Sequence, residues 1–254
     1  MKLIDVHAHL DHERFRKDLD KIIERFKKFG GKFIITSGVN AVTNRKALEI
    51  AKKYDTVKVS FGIYPIDALM KEFDVDEELV WIEKHADDCV AIGEVGLDYN
   101  WDKFQTEKMR KKQKEVFAKV IDLAKRIGKP LVIHSRKAEL DAIEMLEEAG
   151  CDKVVMHCFN GKKALIRRCI ENGWYFSVPP VITRIEHFKM LVKTVPLEQL
   201  LTETDAPFLS PVVGGRNESA NVAITIKEIA KIKRLSEEDV ARQIFINAVK
   251  LFRL

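Results

Sequence analysis

Seven histidines occur in this chain: His7, His9, His12, His85, His134, His157 and His187. Four of them sit where a short apolar run ends. His7 and His9 close KLIDV, His134 closes LVI, and His157 closes KVVM. Two acids hold equivalent places, Glu94 after CVAIG and Asp205 after QLLTET. Side chains alternate at period two along a strand, so His7 and His9 point the same way and can share one ion. The same parity groups His134 with Val132 and His157 with Val155, and turns Cys158 outward, where it is read as packing. Four imidazoles and two carboxylates exceed the needs of one tetrahedral ion. They suit two divalent ions roughly 3.5–4 Å apart, bridged by a carboxylate and a water. Such a pair acidifies the shared water and stabilises the attacking and leaving oxygens of an in-line displacement. Mixed imidazole and carboxylate donors accept Zn, Mn, Mg or Ni. His12, His85 and His187 are expected to be ordinary hydrogen-bonded residues.

The elements that must carry these groups follow from the alternation of short β-branched runs with longer amphipathic stretches. Strands are predicted over Lys2–Val6, Lys32–Ser37, Thr56–Ile63, Cys89–Glu94, Leu131–Ser135, Lys153–His157, Gly173–Val178 and Gln199–Thr204. Helices are predicted near Glu13–Phe29, Asn44–Tyr54, Asp76–Ala86, Gln105–Ile127, Ala138–Ala149, Lys162–Asn172, Arg184–Lys193 and Asn217–Lys233. A further helix starts at Ser236, where Ser236-x-x-Asp239 has the form of a capping box. Eight strand–helix units in strict order argue for an α/β protein whose parallel sheet is covered by helices. Eight is the number that closes a TIM barrel, and the C-terminal strand ends of such a barrel form its active face. The expectation is therefore a single (β/α)8 TIM-barrel domain over 1–254 with an extra C-terminal helix. An open doubly wound sheet is the runner-up.

The bulk properties set limits. At 254 residues and 46% hydrophobic, the chain is long enough to bury a sizeable core. Its net charge of +5 is compatible with a polyanionic substrate without requiring one. Four cysteines without a C-x-x-C pair point to reduced thiols. The N-terminus opens directly into a strand-like run without a secretory leader, and no apolar run approaches the ~18 residues a membrane span needs. A soluble, cytoplasmic protein is expected, with no membrane partner.

The motifs are IDVHAHLD at Ile4–Asp11, GEVGLDY at Gly93–Tyr99, HSR at His134–Arg136, HCFNG at His157–Gly161, ETDAP at Glu203–Pro207 and RNE at Arg216–Glu218. In this order they resemble the TatD-type metal-dependent deoxyribonucleases, over almost the whole length. The resemblance implies a barrel of the amidohydrolase kind and metal-dependent hydrolysis of DNA, often from the 3′ end. It also implies that His7, His9, Glu94 and Asp205 hold one ion and that Glu94, His134 and His157 hold a second. Asp205 would in addition orient or deprotonate the attacking water, which makes Asp205 and Glu94 the catalytic carboxylates. Asp5 and Glu203 share the parity of His7 and Asp205 one layer below, and are expected to orient ligands, or else to be buried charges paired elsewhere. The chain departs from the family pattern at Tyr64, where G-x-H-P is common, at Asn160, and at Ser219. Its segment Pro211–Arg216 also lacks the usual basic spacing.

Arg136 and Arg216 lie beside ligand-bearing segments and are expected to bind substrate phosphate, because an Arg fork matches phosphate geometry. A surface ion pair is the alternative for each. The basic run Lys108, Arg110, Lys111, Lys112 and Lys114 is read as a solvated helix face. Tyr99 and Trp101 are candidates for base stacking or for loop packing. The leading expectation is thus a two-metal deoxyribonuclease, directed to 3′ ends of single-stranded DNA, with RNA not separated from DNA. The alternative keeps the metals and changes the bond, as in an ester or amide hydrolase such as an aminoacyl-tRNA deacylase. A non-catalytic nucleic-acid binding module is a third reading, and the complete ligand ring argues against it.

Overall fold

The computed structural model describes residues 1–101 and 106–254. Eight strands, β1 (Leu3–Ala8), β2 (Gly31–Ser37), β3 (Val57–Ile63), β4 (Ala91–Asp98), β5 (Leu131–Arg136), β6 (Val154–Met156), β7 (Tyr175–Val178) and β8 (Leu200–Thr202), form one sheet in sequence order. Every neighbouring pair is parallel. The helices that alternate with them are α1 (Leu19–Lys28), α2 (Ala41–Lys53), α3 (Val75–Lys84), α4 (Glu107–Ile127), α5 (Glu139–Glu148), α6 (Lys163–Glu171), α7 (Glu186–Thr194) and α8 (Val222–Lys233). This is the (β/α)8 barrel that the alternation predicts, with an extra C-terminal helix, α9 (Glu237–Phe252).

The seam between β1 and β8 closes through the residues just beyond β8. Ala8 bridges Ala206 in parallel, Asp205 N donates to His7 O at 2.9 Å, and His9 N donates to Ala206 O at 2.7 Å. Lower down, Thr202 Oγ1 donates to Ile4 O at 2.7 Å. Asp5 is buried in the same seam, accepting from Thr204 N at 2.9 Å and Thr204 Oγ1 at 2.6 Å. Helix α9 covers the other end of β8, where Asn247 Nδ2 donates to Leu197 O and Leu200 O.

Several boundaries differ from the sequence reading for identifiable reasons. The first predicted helix is two pieces, a 3-10 turn at Glu13–Phe15 capped by the His12 ring, then α1. Strand β4 runs four residues past Glu94 to Asp98, because its tail pairs with β5 as far as Arg136. Helix α8 starts at Val222, since Asn217 and Glu218 are used in bracing a loop. The predicted start of α4 at Gln105 lies outside the described residues. Ser236 caps α9 by accepting from Asp239 N at 3.1 Å, while its own hydroxyl donates to the Asp239 carboxylate at 2.7 Å, so the capping box is half formed.

Candidate metal centre

All six residues expected as ligands meet at the C-terminal mouth of the barrel. They do so on five segments of chain: His7 and His9 on β1 and just after it, Glu94 on β4, His134 on β5, His157 just after β6, and Asp205 just after β8. His7 Nε2 lies 3.4 Å from Glu94 Oε2 and 3.6 Å from Asp205 Oδ1. His9 Nε2 lies 3.5 Å and 3.3 Å from the same two oxygens. The other oxygen of Glu94, Oε1, is 2.8 Å from His134 Nδ1 and 3.9 Å from His157 Nε2. One carboxylate therefore turns one oxygen to each of two donor sets.

Local chain geometry produces this. Phe61 and Ile63 of β3 face Ile92 and Val95 of β4, so β4 carries one extra residue in a bulge at Gly93–Glu94. A bulge re-aims a side chain, here that of Glu94. Gly62 makes room for it: a Cβ there would lie 2.3 Å from Glu94 N. Asp205 has φ 55°, in the left-handed region where Asp is tolerated better than most residues. The RNE motif holds that turn. Asn217 Nδ2 donates to Thr204 O at 2.7 Å and Leu209 O at 3.2 Å, and Glu218 accepts a fork from Arg25.

Each imidazole is held by the nitrogen that does not face the centre. His9 Nδ1 donates to Ser37 O at 3.0 Å, and His7 Nδ1 meets Ser37 Oγ at 3.1 Å. His157 Nδ1 donates to Glu203 Oε2 at 2.5 Å, and Glu203 also accepts from Ser177 Oγ and Cys158 N. His134 Nε2 donates to Asp98 Oδ2 at 3.1 Å. Outer partners of this kind fix ring orientation and tautomer in metal sites. The inward His7 Nε2 is buried with no hydrogen-bond partner among the described residues. A buried polar atom without a partner is costly, and a cation between these nitrogens and carboxylates removes that cost. The donor set and this atom together fit divalent metal.

Electrostatics agree. Burial pulls the His7 imidazole down, but the nearby Asp205 and Glu94 carboxylates outweigh it and lift His7 to about 9. His134 also rises to about 9, with Asp98 and Glu94 overcoming burial. Burial raises Glu94 and Asp205, yet the surrounding imidazoles hold both well below the usual carboxylate range. Without a cation, protons fill the ring, and metal must displace them. Metal affinity is therefore expected to rise with pH between the ordinary imidazole value of 6.5 and about 9, releasing roughly one proton or more per ion. Chelator competition across that range checks the slope; a flat profile contradicts this account.

Asp98 is the residue the sequence reading missed. It is wholly buried, and its Oδ2 accepts from His134 Nε2, from Tyr64 OH at 2.8 Å and from Trp101 Nε1 at 3.2 Å. The signal lies in the period-two spacing from Glu94 through Gly96 to Asp98, which a strand ending at Glu94 leaves out. Asp98→Asn is expected to weaken metal binding about 10- to 100-fold, as typical for outer partners, measured by equilibrium dialysis.

Glu203 grips the His157 ring directly. Asp5 touches His7 only through the backbone N, at 3.3 Å, and otherwise ties β1 to the residues after β8. Burial raises Asp5 to about 7 against hydrogen bonds from His7 and Thr204 that lower it, so its contacts fit the buried acid paired elsewhere better than a ring-orienting one. Arg136 lines the cavity above the ligands. Arg216 does not; its guanidinium forks onto Asp18 at 2.8 and 2.6 Å and donates to Arg14 O, the surface ion-pair alternative. Cys158, expected to pack outward, lines the cavity instead, because β6 ends at Met156 and Cys158 turns the chain with φ 43°. Tyr99 is buried with its hydroxyl on Asp141, whereas Trp101 lines the cavity. His85 and His187 are bonded elsewhere, to Asp88 and to Phe159 O. His12, also given no role, lines the cavity while capping the turn after it.

With this geometry in hand, comparisons with known proteins give a consistent result. The family model described as TatD related DNase matches residues 4–253. The chain is 37% identical to the uncharacterized metal-dependent hydrolase YabD of Bacillus subtilis, covering 99% of each chain. It is 34% identical to deoxyribonuclease TATDN3 of Homo sapiens, over 98% of this chain and 94% of that one. Among solved structures, YJJV, a TatD homolog from Escherichia coli K12, superposes with a TM-score of 0.90 at 26% identity, over 99% of this chain and 98% of that one.

Proposed function

Since this chain belongs to the TatD-related DNase family of metal-dependent hydrolases, we propose that it cleaves phosphodiesters in DNA, acting from 3′ ends of single strands with two divalent ions bound. The observation that carries the two-ion reading is Glu94, whose Oε2 faces His7 and His9 while its Oε1 faces His134 and His157. In this reading His7, His9, Glu94 and Asp205 hold one ion, and Glu94, His134 and His157 the other. When bound, such a pair supplies Lewis acidity to the phosphoryl group and lowers the pKa of water. Zn, Mn, Mg and Ni all suit the donors.

The chain's own groups do the rest. Asp205 lines the cavity as an anion held by its imidazole neighbours, placed to take a proton from the attacking water. The water oxygen bonds to phosphorus, the bond to the leaving sugar oxygen breaks, and the water's proton passes to Asp205 and from there to the leaving oxygen, which departs as the hydroxyl. Glu203 and Asp98 keep two rings aimed while this happens. Arg136, exposed on the rim, offers a fork to a phosphate oxygen.

Release of label from 3′-labelled single-stranded DNA, after chelation and after return of each metal in turn, tests the proposal. Metal-dependent release of mononucleotide is expected. Failure with every metal, alongside turnover of carboxylic esters or aminoacyl-tRNA, would establish the alternative ester or amide hydrolase. Arg136→Ala is expected to raise KM about tenfold or more, the scale of a lost charged hydrogen bond, with metal content unchanged. Arg216→Ala should leave KM near the parent value, because its exposed ion pair contributes only ~0–1 kcal/mol, and to the fold. Steady-state kinetics on the two variants separates these roles.

A further inference from the structure

Two aromatic side chains in the cavity have no part in the chemistry above. Trp101 and Phe208 both line it, and they remain 49% and 44% exposed. Trp101 follows β4 and Phe208 follows β8, half the circuit apart in a sheet ordered β1 to β8. Trp101 thus sits beside Asp98 and its partner His134, and Phe208 beside His9. Both are fixed. The indole Nε1 of Trp101 is tied to Asp98 at 3.2 Å. Phe208 N donates to Asp205 O at 2.8 Å, and its ring meets His12 and His9 edge-on at 5.3 and 6.2 Å.

The charge on the walls gives these rings a meaning. Among the described residues lining the cavity, Arg136 is the one Lys or Arg, beside the acids Asp11, Glu94 and Asp205 and the apolar Val39 and Leu209. Duplex recognition draws its affinity from many phosphate contacts, and this mouth offers few. Two neighbouring bases can each lie on a separate aromatic face only when unstacked from one another, which a single strand allows and the interior of a duplex does not. The cavity, about 690 Å³, falls in the range of sites that take a small molecule.

We propose that Trp101 and Phe208 are stacking platforms for the two nucleobases flanking the scissile phosphate, one on each side, so that the site selects unpaired nucleic acid. This rests on the phosphodiesterase reading of the centre. Each platform is a specificity determinant, and neither touches the reacting atoms.

The test uses short single strands carrying an abasic residue on one side or the other of the scissile bond. In the parent enzyme each abasic strand should show a KM raised about 5- to 150-fold, the measured worth of one stacked base. Trp101→Ala should raise KM for the intact strand and erase the abasic penalty on one side only. Phe208→Ala should do the same on the other side, and Trp101→Phe should restore stacking. A binding arm reads the same contact without turnover. In the Asp205→Asn background, intact single strand should quench tryptophan fluorescence, abasic strand should quench less, and Trp101→Phe should abolish the difference. Abasic penalties that persist undiminished in both alanine variants, or quenching that an abasic residue on neither side diminishes, overturn the proposal while leaving the hydrolase reading intact. If no strand is hydrolysed by the parent, the phosphodiesterase reading fails and the quenching comparison still decides the stacking.

Discussion

Asp205→Asn is expected to lose at least about 10²- to 10⁴-fold in kcat, the contribution of a positioned general base, with the fold unchanged. The amide is nearly isosteric, keeps one oxygen toward His7 and His9, and cannot accept the proton of the attacking water. Its turn should survive, since Asn tolerates a φ of 55° as Asp does. Metal retention is thus expected alongside failed turnover. Single-turnover rates beside elemental analysis make the check. Hydrolysis at the parent rate with two ions bound would show that Asp205 is not the base.

Glu94→Gln is expected to fail earlier, at metal binding. Glu94 is buried, carries the charge that faces four imidazoles, and has one oxygen for each donor set. An amide presents one oxygen and one NH2, and the NH2 repels a cation. Stoichiometry should fall below that of the parent, and kcat/KM should drop by more than the about 10- to 100-fold typical of losing an outer partner. The different signatures are the point of comparing the two: Asp205→Asn keeps metal and loses rate, whereas Glu94→Gln loses metal and rate together. His85→Ala is the control, because its ring stacks on Trp81 and pairs with Asp88 far from the centre. If His85→Ala were as inactive as Glu94→Gln without unfolding, the centre would have been assigned to the wrong residues.

The sequence by itself determined the architecture and the strand-end places of the six candidate ligands. Periodicity is local: alternating runs of period two and 3.6 are written in consecutive residues, so eight strand–helix units were legible in order. Strand-end placement is equally local, and it marked His7, His9, Glu94, His134, His157 and Asp205 without any knowledge of distance. Only the tertiary structure decided how Glu94 divides its oxygens, because that depends on a bulge visible only against β3. It alone revealed Asp98 behind His134, a partner 36 residues away in sequence. It paired Arg216 with Asp18, the alternative the residue types had left open, and turned Cys158 into the cavity, because a side chain's partner depends on which loops meet it. Parity extends only as far as the strand does, and strands β6 and β8 stop at Met156 and Thr202, short of the residues that matter. Beyond those ends the backbone follows turns held by long-range hydrogen bonds such as Asn217 to Thr204, which no periodic pattern encodes.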